Sequence, residues 1–193
     1  MTVRPKHRVP IEAADGERKT VPLAPVVRAV EPFDRFYARE YRSVVGLAYA
    51  LSGSQSGAED LAQEAFIAAH KKWDQIGAYD KPEAWVRRVV SNMSVSRFRR
   101  RANEIKAMTR LAGFRSEAAG IGELPAEADH FWAQVRRLPK RQAQAVALHY
   151  LEDLPIAEIA DVLDCSPNTV KVHLYKGRQA LATRLDVDLG GDA

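Results

Sequence analysis

The stretch EIADVLDCSPNTVKVHLYKGRQAL, residues Glu158–Leu181, decides the fold of the C-terminal part of the chain. Ser166 is a favourable N-cap, because its hydroxyl can accept a hydrogen bond from an amide of the first helical turn. Pro167 then occupies the first helical position, where its missing N–H costs nothing. One helix therefore ends near Leu163 and the next begins at Pro167. Two helices joined by so short a turn form a helix-turn-helix, whose second helix commonly enters a DNA groove.

The second helix of this motif has an apolar face and a polar face, because successive residues turn by about 100°. The polar face carries amides, a phenol and cations, the groups that read base edges and neutralise phosphates. A solvated face on an ordinary surface helix is the alternative interpretation, since short helix-turn-helix matches arise by chance. The residues predicted to face inward are Val170, Leu174, Gly177 and Leu181, and those predicted to face outward are Asn168, Lys171, Val172, Tyr175, Lys176, Arg178 and Gln179.

Composition places the chain among globular proteins with one medium domain or two small ones. It has 193 residues, of which 46% are hydrophobic. It contains no run of about 20 apolar residues, and its first residues lack the apolar segment of a secretory signal. The single cysteine, Cys165, excludes an internal disulfide framework and fits a reducing cytosol. We therefore expect a cytoplasmic protein in which Cys165 packs in the turn rather than reacting.

Positive charge is concentrated in one segment. The net charge of the chain is only +4, yet ten lysines and arginines lie between Lys81 and Arg115 against two acids, a local excess of eight. A cationic block of this kind attracts a polyanion, and nucleic acid is the usual one. The alternative is a solubilising, partly disordered basic run.

The first half of the chain contains successive helical patterns and no strand pattern. Apolar residues recur at helical spacing from Phe33 to Leu51 and stop at Ser52-Gly53, which predicts a first helix. Ser56-Gly57-Ala58-Glu59 has the form of a capping box, and it predicts a second helix that runs to about Trp73.

A third helix is predicted to begin at Asp80-Lys81-Pro82-Glu83 and to extend through the arginines near Arg101. Glycines and a proline then mark a linker, and a second helical unit ends with the helix-turn-helix. We predict an all-α protein of two small helical domains joined by a flexible linker. The predicted boundaries are a flexible N-terminal extension at 1–30, a first domain at 31–112, a linker at 113–126, a second domain at 127–186 and a tail at 187–193.

The residues that commonly carry catalysis form no recognisable pattern. The five histidines show no metal-ligand spacing, and no second cysteine supports a zinc site. The chain has no phosphate-cradling glycine loop and no HExxH or GxSxG motif. We therefore predict a protein that is not an enzyme, with no catalytic residue, metal site or cofactor.

The second predicted helix carries an unusual outward stripe. Asp60, Glu64 and Ile67 share one face with Gln63 beside them, while Leu61 and its helical neighbours occupy the opposite face. An exposed isoleucine among carboxylates and an amide is typical of a contact patch for another helix. Alternatively, Asp60 and Glu64 only favour the helix N-terminus through its dipole.

Three pieces of the chain together resemble the sigma-70 family of RNA polymerase sigma factors. These pieces are AEDLAQEAFIAAHKKW from Ala58, WVRRVVSNMSVSRFRRR from Trp85, and the long segment from LPKRQ at Leu138 to Leu181. They are most similar to the short extracytoplasmic-function (ECF) type, which keeps only regions 2 and 4. The resemblance implies a region 2 helical bundle, a region 4 helix-turn-helix, and binding to core RNA polymerase through its β′ clamp helices and β flap. It also implies promoter DNA and an anti-sigma regulator as partners.

The resemblance implies a role for three sets of residues. An extruded promoter base would be held by hydrogen bonds and by stacking worth about 1–3 kcal/mol. Trp85 belongs to the set for the minus-ten element, and for this residue anchoring of its helix in the core is the alternative role. The sets are Asp60, Gln63, Glu64 and Ile67 for core polymerase; Tyr79, Lys81, Trp85, Arg87, Arg88, Asn92, Arg97, Arg99 and Arg100 for the minus-ten element; and Asn168, Thr169, Lys171, Val172, His173, Tyr175, Lys176 and Arg178 for the minus-thirty-five element.

One departure from the family pattern concerns base reading. Many relatives carry Arg or Ser where this chain has Lys171-Val172-His173. Val172 has no hydrogen-bonding group, so it would contact a thymine methyl or read DNA shape. The promoter sequence is therefore not predicted.

Two other functions compete with a sigma factor. A stand-alone helix-turn-helix regulator would bind operator DNA without core polymerase. A helical enzyme acting on a nucleotide in the basic groove would need a catalytic constellation, and none is visible in the sequence.

Overall fold

The structure is a computed structural model that describes residues 30–112 and 126–185, with the side chains of 105–112 and of 126–127 left out of the description. Every regular element in these two ranges is an α-helix, and the described residues from Glu31 onward belong to one compact unit. The predicted extension, linker and tail fall outside the described residues, apart from Val30 and Ala126. The helices are α1 (Phe33–Ser52), α2 (Gln55–His70), α3 (Trp73–Ile76), α4 (Pro82–Ala112), α5 (Ala126–Arg136), α6 (Lys140–Tyr150), α7 (Ile156–Leu163) and α8 (Pro167–Leu185).

Helices α1–α4, here called the first module, pack around an aromatic cluster. The rings of Phe36 and Phe66 are both buried and meet edge to face at 6.0 Å, and Trp73 lies 4.7 Å from Phe36. Each such pair contributes about 0.5–1.5 kcal/mol beyond the area it buries. The indole N–H of Trp73 donates to the carbonyl of Glu31 at 2.9 Å, which satisfies its polar edge. This cluster anchors α1 against α2 and α3.

The turn between α1 and α2 differs from the predicted capping box. Gly53 ends α1 in the left-handed region at φ 72°, and Ser54 is the N-cap of α2, with its hydroxyl accepting from the amide of Gly57 at 3.3 Å. Ser56 therefore lies inside the helix, and the prediction that it caps α2 is wrong. The physical reason is that α1 ends at Gly53, which places Ser54 in the extended conformation of an N-cap, and Glu59 accepts instead from the side chain of Gln55 at 2.9 Å.

The ends of two other helices also shift from the sequence-based bounds. Helix α2 ends at His70, and a separate short helix then carries Trp73. Helix α4 begins at Pro82 as expected but continues to Ala112, beyond the predicted end near Arg101.

Helices α5–α8, here called the second module, contain the predicted helix-turn-helix. The amide of Thr169 donates to the Ser166 hydroxyl at 3.1 Å, and Pro167 is the first residue of α8. The turn itself is made by Asp164 at φ 55°. The inward face of α8 is as predicted, and its buried residues are Val170, Leu174, Gly177 and Leu181.

The two modules share an interface. Helix α1 contacts α5 and α6, and α4 contacts α6 and α7. In the described part of the chain, no helix is both long enough and apolar enough to span a bilayer.

Candidate nucleic-acid interface

The outward stripe of α2 consists of Asp60, Gln63, Glu64 and Ile67, all of them exposed, and is called the α2 stripe below. Ile67 is 55% exposed, whereas Leu61 and Ala65 behind it are buried. An apolar side chain held in water between two carboxylates is suited to contact with a partner helix. Asp60 lies 3.6 Å from Arg97 in an exposed ion pair, an arrangement that contributes little to stability.

The beginning of α4 and the loop before it form a cleft of about 540 Å³. Tyr79 is 42% exposed, and its ring lines the cleft together with Lys81, Trp85 and Arg88. Trp85 is half-buried and packs against the core of the molecule. Its ring can therefore stack with a base, anchor α4 in the core, or do both. The cleft is within the size range of ligand pockets. The surface made by Tyr79, Lys81, Trp85, Arg87, Arg88 and Asn92 is called the strand-capture face below, after the role that the resemblance implies for these residues.

Two arginines of the strand-capture face point toward the second module. Arg87 donates to Glu40 at 3.0 Å and to Glu152 at 2.8 Å, and its side chain is only 12% exposed. Arg88 donates to the backbone carbonyl of Val162 at 2.9 Å. Further along α4, the three remaining predicted minus-ten residues are exposed to solvent: Arg97, Arg99 and Arg100.

Helix α8 presents a largely exposed outward face. Val172 and Tyr175 are 48% and 56% exposed, values that are high for large apolar or aromatic side chains. The Tyr175 hydroxyl accepts from Gln179 at 2.6 Å, which orients it on the helix surface. Thr169 is half-buried, and its hydroxyl lies 2.8 Å from that of Ser166. The other exposed predicted contacts on this face are Asn168, Lys171, Lys176 and Arg178, and His173 is half-buried.

Comparison with known families accounts for both modules. The family model "Sigma-70 region 2" matches residues 36–104, and the model "Sigma-70, region 4" matches residues 130–181. Together the two models cover more than half of the chain, in the family order.

The chain belongs to the sigma-70 family.

Among similar proteins are ECF RNA polymerase sigma factors. The ECF sigma factor SigW of Bacillus subtilis is 28% identical over 151 residues, covering 72% of this chain and 81% of SigW. The ECF sigma factor SigE of Mycolicibacterium smegmatis is 30% identical over 162 residues, covering 79% of this chain and 61% of SigE. The resemblance drawn from the sequence is thus confirmed, and the chain is an RNA polymerase sigma factor of the ECF type. A stand-alone helix-turn-helix regulator is not favoured.

Two solved structures share the fold. The sigma factor RpoE in complex with the anti-sigma factor NepR, from Bartonella quintana, has a TM-score of 0.62 at 24% identity, covering 81% of this chain and 98% of RpoE. CnrH in complex with the cytosolic domain of CnrY has a TM-score of 0.59 at 21% identity, covering 80% of this chain and 87% of CnrH. The predicted all-helical fold with two sigma domains is therefore confirmed.

The sigma factor gathers positive charge where its two modules meet. Burial lowers the pKa of Lys140, and the neighbouring cations Arg141 and Arg99 lower it further. Burial also lowers the pKa of His173, with Arg141 and Lys176 adding to the effect. Because Arg99 belongs to the first module and the other groups to the second, the positive surface continues from α4 to α6 and α8.

Four functional candidates of the sigma factor were not found from the sequence. Glu40, Arg136, Gln144 and Glu152 all lie between the modules, with side chains that are almost fully buried. Only Gln144 carried a usable signal, since it is an uncharged polar residue inside the apolar run Ala143–Leu148 of α6. Charged residues on amphipathic helices are common, so nothing marked the other three.

Proposed function

We propose that this sigma factor binds core RNA polymerase through the α2 stripe, captures the minus-ten strand with the strand-capture face and docks α8 in the minus-thirty-five element. In this arrangement the first domain comprises residues 31–112 and the second domain comprises residues 127–186. The sigma factor works in the cytoplasm, has no catalytic activity of its own and lends the polymerase its promoter specificity.

The observation that carries this proposal is the exposure of Ile67 at the centre of the α2 stripe. Leu61 and Ala65, on the opposite face of α2, are buried in the core. Ile67 is exposed instead, so it contributes little to the stability of the module. A partner helix that covered it would also meet the carboxylates of Asp60 and Glu64. Buried apolar anchors surrounded by polar groups are the usual energetic centres of interfaces.

The strand-capture face supplies the chemistry for holding a melted strand. Tyr79 and Trp85 offer aromatic surfaces on which bases can stack, and Lys81 offers a charge for phosphate. Asn92 can bond the Watson–Crick edge of an extruded base. On α8, Lys171 and Lys176 are placed to neutralise phosphates while Val172 and Tyr175 face the bases.

An anti-sigma protein is the expected regulator. Among the structural neighbours, the sigma factor RpoE was solved with the anti-sigma factor NepR, and CnrH was solved with the cytosolic domain of CnrY. Such a partner would act by covering one or more of the three faces.

Run-off transcription with purified core RNA polymerase over a library of promoter fragments tests the function. We expect specific transcripts only when this sigma factor is added, and we expect them to be lost in the double variant Asp60→Ala, Glu64→Ala. The matched control is Glu59→Ala, which removes an exposed carboxylate from the same helix but off the stripe. Binding to duplex DNA without any stimulation of core polymerase would overturn the proposal and favour a stand-alone regulator.

A further inference from the structure

A small cavity lies where the end of α1, the start of α2 and the middle of α4 meet. Its volume is about 160 Å³, which is room for about five water molecules and less than the about 300–1,000 Å³ of pockets that bind drug-sized ligands. It is called the serine cavity below. Its polar lining consists of three serines, two arginines and one aspartate: Ser52, Ser54, Ser56, Asp60, Arg97 and Arg101.

Ser52, the last residue of α1, contributes an unpaired hydroxyl. The residue is only 8% exposed, yet its hydroxyl has no hydrogen-bond partner among the described residues. Two other buried serines of the first module bond a carbonyl one turn earlier: Ser94 donates to Val90 at 2.7 Å, and Ser91 donates to Arg88 at 3.3 Å. A buried hydroxyl without a protein partner is uncommon in native proteins. Since Ser52 lines the serine cavity, its hydroxyl can donate to a group bound there.

The first turn of α2 borders the same cavity and carries backbone donors. The amide of Gly57 donates to the Ser54 hydroxyl at 3.3 Å, but the amides of Gln55 and Ser56 precede the first residue with an intrahelical acceptor. Such amides and the positive end of the helix dipole favour an anion at a helix N-terminus. A Cβ added at Gly57 would lie 3.9 Å from Nε of Arg97, so a cation stands directly over this turn.

Arg97 and Arg101 of α4 make the serine cavity positive. They lie one helical turn apart, and both are exposed. Arg97 pairs with Asp60 at 3.6 Å, but an exposed pair at this distance holds the guanidinium only weakly. Two guanidinium groups against one carboxylate leave an excess of positive charge, and the planar guanidinium can bond two phosphate oxygens at once.

The C-terminal end of α1, whose carbonyls would repel an anion, is already capped. Arg136 of α5 donates to the carbonyl of Ala50 at 3.3 Å, and the amide of Gly53 donates to the carbonyl of Tyr49 at 2.8 Å. These bonds satisfy two of the carbonyls in the last turn of α1. The donors of the serine cavity are therefore opposed mainly by Asp60.

We infer that the serine cavity binds a single phosphate group, with Ser52 donating from α1, the first turn of α2 donating from one side, and Arg97 and Arg101 donating from the other. The inference goes beyond the proposed function, because Ser52 and the first turn of α2 belong to none of the three proposed faces. The phosphate can come from the backbone of promoter DNA, since Arg97 is also a predicted minus-ten contact, or from a free phosphate ion. In both cases the bound group competes with Asp60 for Arg97.

The experiment titrates the full chain, labelled with ¹⁵N, with inorganic phosphate while sodium chloride keeps the ionic strength constant. The backbone amide resonances of Gln55 and Ser56 report on occupancy of the cavity. We expect both to shift and to saturate with a dissociation constant on the order of 1 mM.

Two variants test the donors of the cavity, and each has a matched control. Ser52→Ala is compared with Ser94→Ala, which removes a buried hydroxyl that is bonded within α4. Arg101→Gln is compared with Arg42→Gln, which removes an exposed arginine from α1. We expect Ser52→Ala and Arg101→Gln each to weaken phosphate binding by about tenfold, as for loss of one hydrogen bond to a charged group, and both controls to bind as the wild type does.

Thermal melting distinguishes a ligand-binding hydroxyl from one with only a structural role. Without phosphate, Ser52→Ala should raise the melting temperature, because it removes an unpaired buried hydroxyl. The phosphate-dependent increase in melting temperature should be smaller in this variant than in the wild type. A purely structural hydroxyl would change the first quantity and leave the second unchanged.

A second titration, with single-stranded DNA of randomised sequence, distinguishes the two sources of phosphate. Shifts of Gln55 and Ser56 that also appear with DNA and are lost in Ser52→Ala identify a backbone phosphate, and shifts with inorganic phosphate alone identify the free ion. The absence of a saturable shift with either probe, or equal affinities of the wild type and Ser52→Ala, would overturn the site. Run-off transcription tests the proposed function separately, so a chain that directs transcription but shows no such binding refutes only the phosphate site.

Discussion

Arg88 donates its guanidinium N–H to the backbone carbonyl of Val162 at 2.9 Å, across 74 residues of sequence. The bond joins the first module to the last turn of α7, next to the helix that the sequence predicts to read DNA. A cation expected to bind phosphate thus serves as a helix cap in the free chain. The predictions that follow concern the three proposed faces and the turns that hold the modules.

The α2 stripe can be tested at its apolar centre. Ile67→Ser should leave the melting temperature almost unchanged, because the side chain is 55% exposed. It should weaken capture of core polymerase by about tenfold, since a central interface residue commonly contributes more than 1 kcal/mol. Titration of labelled sigma factor with core enzyme measures this, and Lys72→Ser, an exposed change just beyond the helix, is the control. Equal affinities for both variants would remove Ile67 from the interface.

The α8 face should separate phosphate binding from base reading. Lys171→Ala should weaken binding to upstream duplex DNA by a similar factor for all sequences and reduce the slope of log affinity against log salt by about one. Val172→Ala should instead change the ranking of sequences, because a methyl contact depends on the base. Gel-shift titrations over the selected promoters at several salt concentrations measure both. A sequence-dependent effect of Lys171→Ala would contradict the assigned roles.

A glycine within α1 and the glycine that follows α1 should respond in opposite directions to the same substitution. Gly46 lies within the helix with open space around it, so Gly46→Ala should stabilise the protein by about 0.5–1 kcal/mol. Gly53 has φ 72°, and an added Cβ would come within 2.8 Å of Nε of Arg136. Gly53→Ala should therefore destabilise by about 1 kcal/mol or more and displace the Arg136 cap. Urea unfolding measures both, and a stabilising Gly53→Ala would show that this turn is not strained.

His173 should make the second module sensitive to acid. Its folded-state pKa is lowered from 6.5, first by burial and then by Arg141 and Lys176. As the pH falls below that value, the unfolded chain takes up the proton before the folded chain does, so folding stability decreases. Thermal melting at pH 7.5 and at pH 5.5 should show a smaller loss in His173→Gln than in the wild type. An equal loss in the two proteins would mean that the imidazole titrates normally.

The local features of the fold followed from short stretches of sequence. The Ser166-Pro167 start of α8 and its buried face at Val170 and Leu174 were predicted correctly, because caps and helical periodicity depend on residues a few positions apart. At the start of α2, where Ser54 and Ser56 lie two positions apart, the local pattern was insufficient. Ser54 rather than Ser56 forms the N-cap of α2, a choice made by where α1 ends at Gly53.

The sequence by itself determined most of the helices, the inward face of α8, the helix-turn-helix and the membership in the sigma-70 family, since all of these depend on periodicity and on motifs in order. Only the tertiary structure decided what the cations and amides on the outward faces contact. An arginine such as Arg87 has the same place in a helical pattern whether it meets a phosphate or the carboxylate of Glu152, 65 residues away. The partner is set by how the two modules pack against each other within one compact unit, and that packing has no period that the sequence could display.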